Sequence, residues 1–564
     1  MAVDVGRSPA ITPNPRISSW SRIYGFGSVY AKTLRDSRLA FIIVAGLLGG
    51  IMLGVGSALG SVLGNEVSRA SIAKLAEDMP PIIQGLTGRP VNVGSLGGYM
   101  TWKYGPYFVF IAAFWSILAL SSTLAGEARR GSLEFVASAP FGKRRLALEK
   151  LAAHLTAMTV AMVILAIAAW LVGAVFGDVP GDAIPVQAAI DFALQVGLIA
   201  LASGAVAFAL APFLGRASAA GIAGFVLFAG YLLNGYQSVV PALAVPASLS
   251  WFSWTANNMP LAGLYDWASL VPVAVVAIVL LAVGVLAFAR RDLGASSSVR
   301  LPGLPTSVLG LRGPIGRGFG ERLPVALAWG IGIGIFGLAM AAASSSLAVE
   351  MAKLAPDTLK LFRDVLPNFD FTSAGGFLQF VFVALGFIII GFAAATLVSG
   401  WGSDETSGRL EMLLATPLAR AQWAARSGIG VYIAIAVMTV VLAITVGIGT
   451  LIAGSDAVTP MAGSLVLGLY AAALAGVGFA VGGLFRTSVA AEAVALLVIV
   501  TFLIDLLAPP LKLPDWVHQL ALTAHLGQPM VGVWDAGGIV ACVVLAAGGL
   551  AIGSLGMRRR DIAR

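Results

Sequence analysis

Along the chain, apolar runs of twenty or more residues alternate with short polar segments that hold nearly all of the Lys, Arg, Asp and Glu. A helix needs about 20 mostly apolar residues to cross the hydrocarbon core of a bilayer. The first run of that length is Leu39–Gly64, and others follow at residues 105–125, 151–177, 188–214, 218–245 and 269–289. After a polar stretch they resume at 325–347, 375–399, 427–453, 462–484, 488–508 and 535–556. The pattern predicts an all-α polytopic membrane protein with twelve transmembrane helices. No apolar core precedes Leu39, so residues 1–38 are expected to hold no cleaved signal peptide.

Composition agrees with this reading. Of 564 residues, 58% are hydrophobic and 11% charged, against about 45–50% and about 25% in soluble domains; mean hydropathy is +0.92. That balance excludes a soluble globular enzyme, a disordered tail and a nucleic-acid-binding domain. The formal charge of +8 reflects topology: with a cytoplasmic N-terminus, 27 of the 35 Lys and Arg fall on the inner side. Such a bias sets orientation and puts both termini in the cytoplasm of a bacterial plasma membrane. Nucleic acid drops out as a partner. The single cysteine, Cys542, allows no intrachain disulfide, and His154, His518 and His525 show no metal-ligand spacing. The 68 glycines suit closely approaching membrane helices.

The chain also repeats itself. Residues Glu127 to Pro140, between spans 2 and 3, share an acid, a Gly, a Leu-Glu pair and a Pro with Asp404 to Pro417, between spans 8 and 9. Arg216-Ala-Ser matches Arg486-Thr-Ser, Pro260-Leu-Ala-Gly263 matches Pro529-Met-Val-Gly532, and Arg290-Arg-Asp292 matches Arg559-Arg-Asp561. The order and near-constant offset predict two six-helix repeats. An even number of spans makes them parallel. The expected boundaries are a cytoplasmic N-terminus at 1–38, repeats at 39–289 and 325–556, a cytoplasmic linker at 290–324 and a basic tail at 557–564.

Within each repeated loop, Leu133, Val136 and Ala137, or Leu410, Leu413 and Leu414, fall at i, i+3 and i+4, the spacing of one apolar helix face. Pro140 and Pro417 then stop or turn the chain. The pattern predicts a short amphipathic helix on the cytoplasmic surface, presented twice. The segments Arg-Gly-Ser-Leu-Glu…Ala-Pro and Ser-Gly-Arg-Leu-Glu-Met-Leu-Leu-Ala-Thr-Pro resemble the corresponding loop of ATP-binding-cassette (ABC) exporter permeases of the second type. The long two-repeat form is similar to the polyketide-antibiotic, tetronasin-type exporters of actinobacteria, and the fold the resemblance implies is the type V ABC exporter fold.

The resemblance implies that these loops are coupling helices docking on ATPase subunits. Their contacts would be Glu127, Arg129, Arg130, Gly131, Leu133, Glu134 and Pro140, and Asp404, Glu405, Gly408, Leu410, Glu411 and Pro417. It also implies an amphipathic connecting helix before span 1. Residues 16–38 suit that role, with Arg16, Trp20, Arg22, Tyr30 and Arg35 in an interfacial pattern. In the second half, residues 304–322 are rich in Gly and Pro, which argues against a second regular connecting helix.

ATP hydrolysis needs a phosphate-cradling G-x-x-x-x-G-K-[ST] loop. The only Gly-Lys pair, Gly142-Lys143, is followed by Arg144 and lacks the upstream glycine. The chain is therefore expected to be a transport subunit rather than an enzyme, without cofactor, with ATP and Mg on partner ATPases, two copies of one separate chain. The expected cargo is a hydrophobic or amphipathic antibiotic, drug or lipid-like compound. Asn234, Tyr236, Gln237, Trp251 and Trp254 are candidates for its path. Asp191, Glu492 and Asp505 are intramembrane acids, a default sign of function, although each sits near a membrane face. Two alternatives remain open: a proton-driven multidrug antiporter, whose usual loop aspartate and trailing basic pair are absent, and a polytopic enzyme acting on lipid-linked substrates.

Overall fold

A bilayer admits only segments that satisfy their own backbone hydrogen bonds, and the computed structural model is built almost wholly of helices. It describes residues 28–123, 142–177, 181–238, 240–290, 313–353, 356, 373–406, 409–508, 511 and 513–560. Eleven helices among these are long and apolar enough to span a membrane, and a bent pair makes a twelfth when counted as one span. The chain divides into two units, residues 1–66 with 85–300 and residues 67–84 with 301–564.

In the first unit, α1 is Val29–Val62. The second span, α2, runs through Leu96–Tyr99, a π-helical turn at Met100–Tyr104, and Gly105–Thr123. Lys143–Phe176, Val186–Leu214, Arg216–Tyr236 and Leu270–Arg290 form α3 to α6. The centre is α4, the most buried span, at 72% of its apolar window. It packs against α2, α3, α5 and α6, while α1 packs along α3. Its buried surface is mostly small, with Ala189, Ala193, Gly197, Ala200, Ser203 and Gly204, so neighbouring backbones approach from every side.

In the second unit, α7 is Leu323–Ala352. The eighth span, α8, joins Ala374–Gln379, a π turn at Phe380–Leu385, and Phe387–Thr406, with a bend of 47°. Gly386 donates its backbone N–H to the Val381 carbonyl at 2.8 Å, an i→i−5 bond of the kind that kinks a helix. The remaining spans, α9 to α12, are Arg420–Ile452, Val458–Leu484, Ala490–Leu507 and Ala536–Arg559. Here α10 is the centre, 67% buried; it packs against α8, α9, α11 and α12, and α7 packs along α9.

Three features differ from the sequence expectation. The first span helix begins at Val29 and runs unbroken past Leu39, so Tyr30 and Arg35 belong to α1 and not to a separate connecting helix. Ser28 caps it, its hydroxyl accepting from the Ala31 N–H at 3.1 Å. The fifth span stops at Tyr236 instead of reaching 245, and short turns at Pro241–Leu243 and Ala244–Ala247 follow; proline cannot extend a helix interior. Despite its glycines, Gly313–Gly320 is helical. Packing overrides propensity there: Gly318 lies against the Ser427 backbone of α9, and Gly430 lies against Gly318 and Phe319.

The tightest helix crossing is that of α10 with α12. A Cβ on Gly476 would run into the Leu545 carbonyl, one on Gly549 into the Gly476 carbonyl, and one on Gly553 into the Phe479 carbonyl. Gly476→Ala should therefore push the two helices apart at a cost of about 1–3 kcal/mol. Thermal unfolding in detergent is expected to show a lowered midpoint for this variant, with no loss for Gly548→Ala, whose Cβ meets nothing within 4 Å.

Candidate functional site

Two regions combine polar chemistry with a defined frame. The first is the end of α8 in the second unit. Trp401 anchors it, stacked on Trp423 of α9 with centroids 5.7 Å apart and edge-on to Phe479 of α10 at 5.1 Å. Its indole N–H donates to the Ala424 carbonyl at 3.3 Å. One turn further, the carboxylates Asp404 and Glu405 leave the helix in different directions.

Asp404 is buried. It accepts from Arg317 of the Gly313–Gly320 helix at 2.8 Å and pairs with Arg409 at 3.7 Å. Glu405 pairs with Arg560 and accepts from the Thr487 hydroxyl, and the Thr487 N–H donates to it at 3.3 Å. Arg560 also donates to the carbonyls of Gly482 at 3.0 Å and Phe485 at 2.7 Å, and its own carbonyl accepts from Arg420 at 2.7 Å. A single turn of α8 is thus tied to the helix before α7, the start of α9, the α10–α11 junction and the end of α12.

From this anchor hangs the helix Arg409–Leu414. Leu410 is fully buried, Leu413 and Leu414 are half-buried, and Glu411, Met412, Thr416 and Pro417 are exposed, Met412 at 68%. The short amphipathic helix expected in this loop is present. Its outward face is Glu411 and Met412, with Pro417 exposed beyond its end, whereas Leu410, and Asp404 and Glu405 on α8, face inward. Gly408 and the whole first-repeat loop, with Glu127, Arg129, Arg130, Gly131, Leu133, Glu134 and Pro140, lie outside the described residues, as do Arg16, Trp20 and Arg22. Tyr30 is fixed to α3, its hydroxyl 3.0 Å from that of Thr156 and its N–H donating to Glu149 at 3.2 Å. Arg35 pairs with Asp36 at 3.0 Å.

The second region is a half-buried aromatic cluster between α2 and α5 in the first unit. Tyr107, Phe110 and Phe114 share one half-buried face of α2, at the spacing of a helix stripe. Phe110 meets Tyr231 at 5.3 Å, Phe228 at 6.3 Å and Phe252 at 6.3 Å. The sequence reading overlooked this stripe because aromatic and aliphatic residues look alike in an apolar run. Most of the residues it favoured find partners in and around the loop after α5. Gln237 donates to the Asn234 side-chain oxygen at 3.1 Å and to Ser253 at 3.4 Å. The Tyr236 ring packs on Gly85, and Trp254 donates to the Ser248 carbonyl at 2.7 Å. Trp251 is buried, and its indole nitrogen has no partner.

Two of the three intramembrane acids have hydrogen-bond partners in the fold. Asp191 accepts from Asn258 at 3.3 Å, and the Asn258 oxygen accepts from the Asp266 N–H at 2.8 Å, so α4 is fastened to the loop before α6. Asp505 accepts from the Thr523 hydroxyl at 2.6 Å, with His518 at 3.8 Å. Glu492 is exposed.

A further pair of matched devices escaped the sequence reading. Ser95 and Ser373 cap the starts of α2 and α8, accepting from Gly98 at 3.1 Å and Gly376 at 3.0 Å. Behind them Gly97 lies against the Leu261 carbonyl, and Gly375 against that of Met530. Those carbonyls belong to the repeated Pro-x-x-Gly turns, which end in left-handed Gly263 and Gly532 at φ +86° and +81°. The signal was available as Ser-x-Gly-Gly at 95–98 and 373–376.

Removing the Glu405 carboxylate leaves the half-buried Arg560 without its charge partner, a loss worth about 1–3 kcal/mol. Glu405→Ala should therefore lower the unfolding midpoint in detergent markedly. Glu411→Ala, on the exposed face, should fall within about 0.5 kcal/mol of the native chain.

A family model described as the C-terminal domain of multidrug efflux system permease Rv1217c matches residues 311–558. The chain is 28% identical over 491 residues to the multidrug efflux system permease protein Rv1217c of Mycobacterium tuberculosis, covering 84% of each chain. With its eleven to twelve candidate spans, the chain is a multi-pass membrane protein homologous to a multidrug efflux permease.

Proposed function

We propose that the chain is the membrane permease of an ATP-driven ABC exporter in a bacterial plasma membrane, with both termini cytoplasmic. It moves hydrophobic or amphipathic compounds outward, a cargo class supported by the relative's designation as a multidrug efflux permease. Two copies of a separate ATPase bind the Arg409–Leu414 helix and its counterpart between α2 and α3, and these subunits carry ATP and Mg. The two units are parallel repeats in a type V arrangement, a reading supported by the same packing order around α4 and α10.

The observation that carries the proposal is the exposed Glu411–Met412 face held on two ion pairs whose carboxylates are largely enclosed. A surface meant to transmit force must be accessible to its partner and rigidly joined to what it moves. ATP binding closes the ATPases and displaces the Arg409–Leu414 helix. Asp404 passes the displacement to Arg317 and the helix before α7. Glu405 passes it to Arg560 and Thr487, and so to α12 and the α10–α11 junction. The spans then shift as a body, as alternating access requires.

The test is recovery of ATPase with tagged full-length chain from cells expressing its native neighbours. An ATPase is expected at two copies per chain. Glu411→Arg combined with Met412→Ala should lower its recovery by about tenfold, the effect of losing an interface anchor, with the unfolding midpoint unchanged. Native recovery by that variant, or a chain that purifies without ATPase, contradicts the proposal.

A further inference from the structure

Lys103 is a cation within the candidate span Leu96–Ser122, two residues before the apolar run that begins at 105. It lies in the π turn of α2, seven residues beyond Leu96, about 10 Å along the helix axis. Its ammonium donates to the Tyr99 hydroxyl at 3.4 Å and sits 5.7 Å from the Tyr99 ring centroid and 5.8 Å from that of Tyr104. Tyr107 follows, 6.4 Å from Tyr104. Among the described residues no carboxylate lies within ion-pairing distance of Lys103. Charges within spans are costly and are normally paired; cation–π contacts stabilise this one only partly.

From Lys103 the half-buried stripe of Tyr107, Phe110 and Phe114 continues along the same face of α2, opposite Phe228 and Tyr231. The geometry is that of a single cation at one end of a half-buried aromatic stripe. In the second unit, counting from the matching Ser373, Val381 stands where Lys103 does. Phe377 and Phe382 replace Tyr99 and Tyr104, and that π turn holds neither a charge nor a hydroxyl.

We propose that Lys103, framed by Tyr99, Tyr104 and Tyr107, binds the anionic group of an amphiphilic cargo whose apolar body lies against the half-buried aromatic stripe. The site rests on the exporter reading and narrows its cargo class to hydrophobic anions. A lysine reaching an anionic lipid headgroup offers the same chemistry, and the experiment separates the two sources.

The purified full-length chain in phosphatidylcholine nanodiscs is titrated with a dansyl-labelled long-chain carboxylic acid and with its neutral methyl ester. The acid is expected to bind at least about tenfold more tightly than the ester, the scale of a charge-assisted hydrogen bond in a partly dry site. Lys103→Gln should erase that preference and leave ester binding unchanged, and Lys103→Arg should keep it. Tyr99→Phe with Tyr104→Phe retains both rings, so this pair should reduce the preference without altering the unfolding midpoint.

An acid preference that survives Lys103→Gln, or no binding of either probe, overturns the proposal. Displacement of the acid by phosphatidylglycerol at equal potency assigns the site to membrane lipid and overturns it as a cargo site. None of these readouts involves ATP, so a failure of the exporter reading shows separately, as absent ATPase in the pull-down.

Discussion

Burying a helix on all sides within a membrane requires a surface of small residues, and the packing of each unit depends on one helix that has it. In water, core helices are driven together by apolar burial; in lipid that drive is lost, and close van der Waals contact replaces it. Gly197, Ala200 and Gly204 on α4, and Gly468, Gly476 and Gly483 on α10, let four neighbours reach each central helix. Branched apolar side chains such as Ile164, Val279, Val440 and Leu555 are exposed on the outer surfaces of the units. A central helix in contact with four others also passes any movement of one to the rest, which suits a body meant to change shape as a unit.

Charge is used sparingly and at the ends. Asp404 and Glu405 occupy adjacent positions on α8, so they point to different sides of the helix and fasten it to separate elements. Buried pairs of this kind contribute little net stability over an apolar replacement, yet breaking one is costly. Their effect is geometric: the exposed turn after α8 cannot move without carrying α12 and the helix before α7. The same logic operates at the starts of α2 and α8. There Asp182 accepts from the Leu96 N–H at 2.9 Å in one unit. In the other, Gln379 accepts from Met530 at 3.0 Å and donates to the Gly527 carbonyl at 3.2 Å. Different side chains hold similar turns in place.

Spans and loop helix were legible because hydropathy and periodicity record burial directly. The run from Leu39 showed where the apolar stretch of α1 begins, but not where its helix begins, since Lys32 and Arg35 are good helix formers outside the hydrocarbon. The Gly313–Gly320 helix was invisible for the opposite reason: its glycines look like a linker until Ser427 and Gly430 of α9 are seen against them. Asp404 and Glu405 read as surface acids, because nothing local announces partners as distant in sequence as Arg317 and Arg560. The aromatic cluster depends on α2 facing α5, a tertiary fact that a single hydrophobic run does not encode.

The central claim is that the chain is driven by ATP through the turn that follows α8. The most direct measurement is uptake of a fluorescent amphiphile into inside-out vesicles containing the chain with its co-expressed neighbours. Uptake should require ATP, persist when an uncoupler collapses the proton gradient, and disappear in the Glu411→Arg, Met412→Ala variant. Uptake driven by an imposed pH gradient without ATP, and unaffected by that variant, would contradict the account.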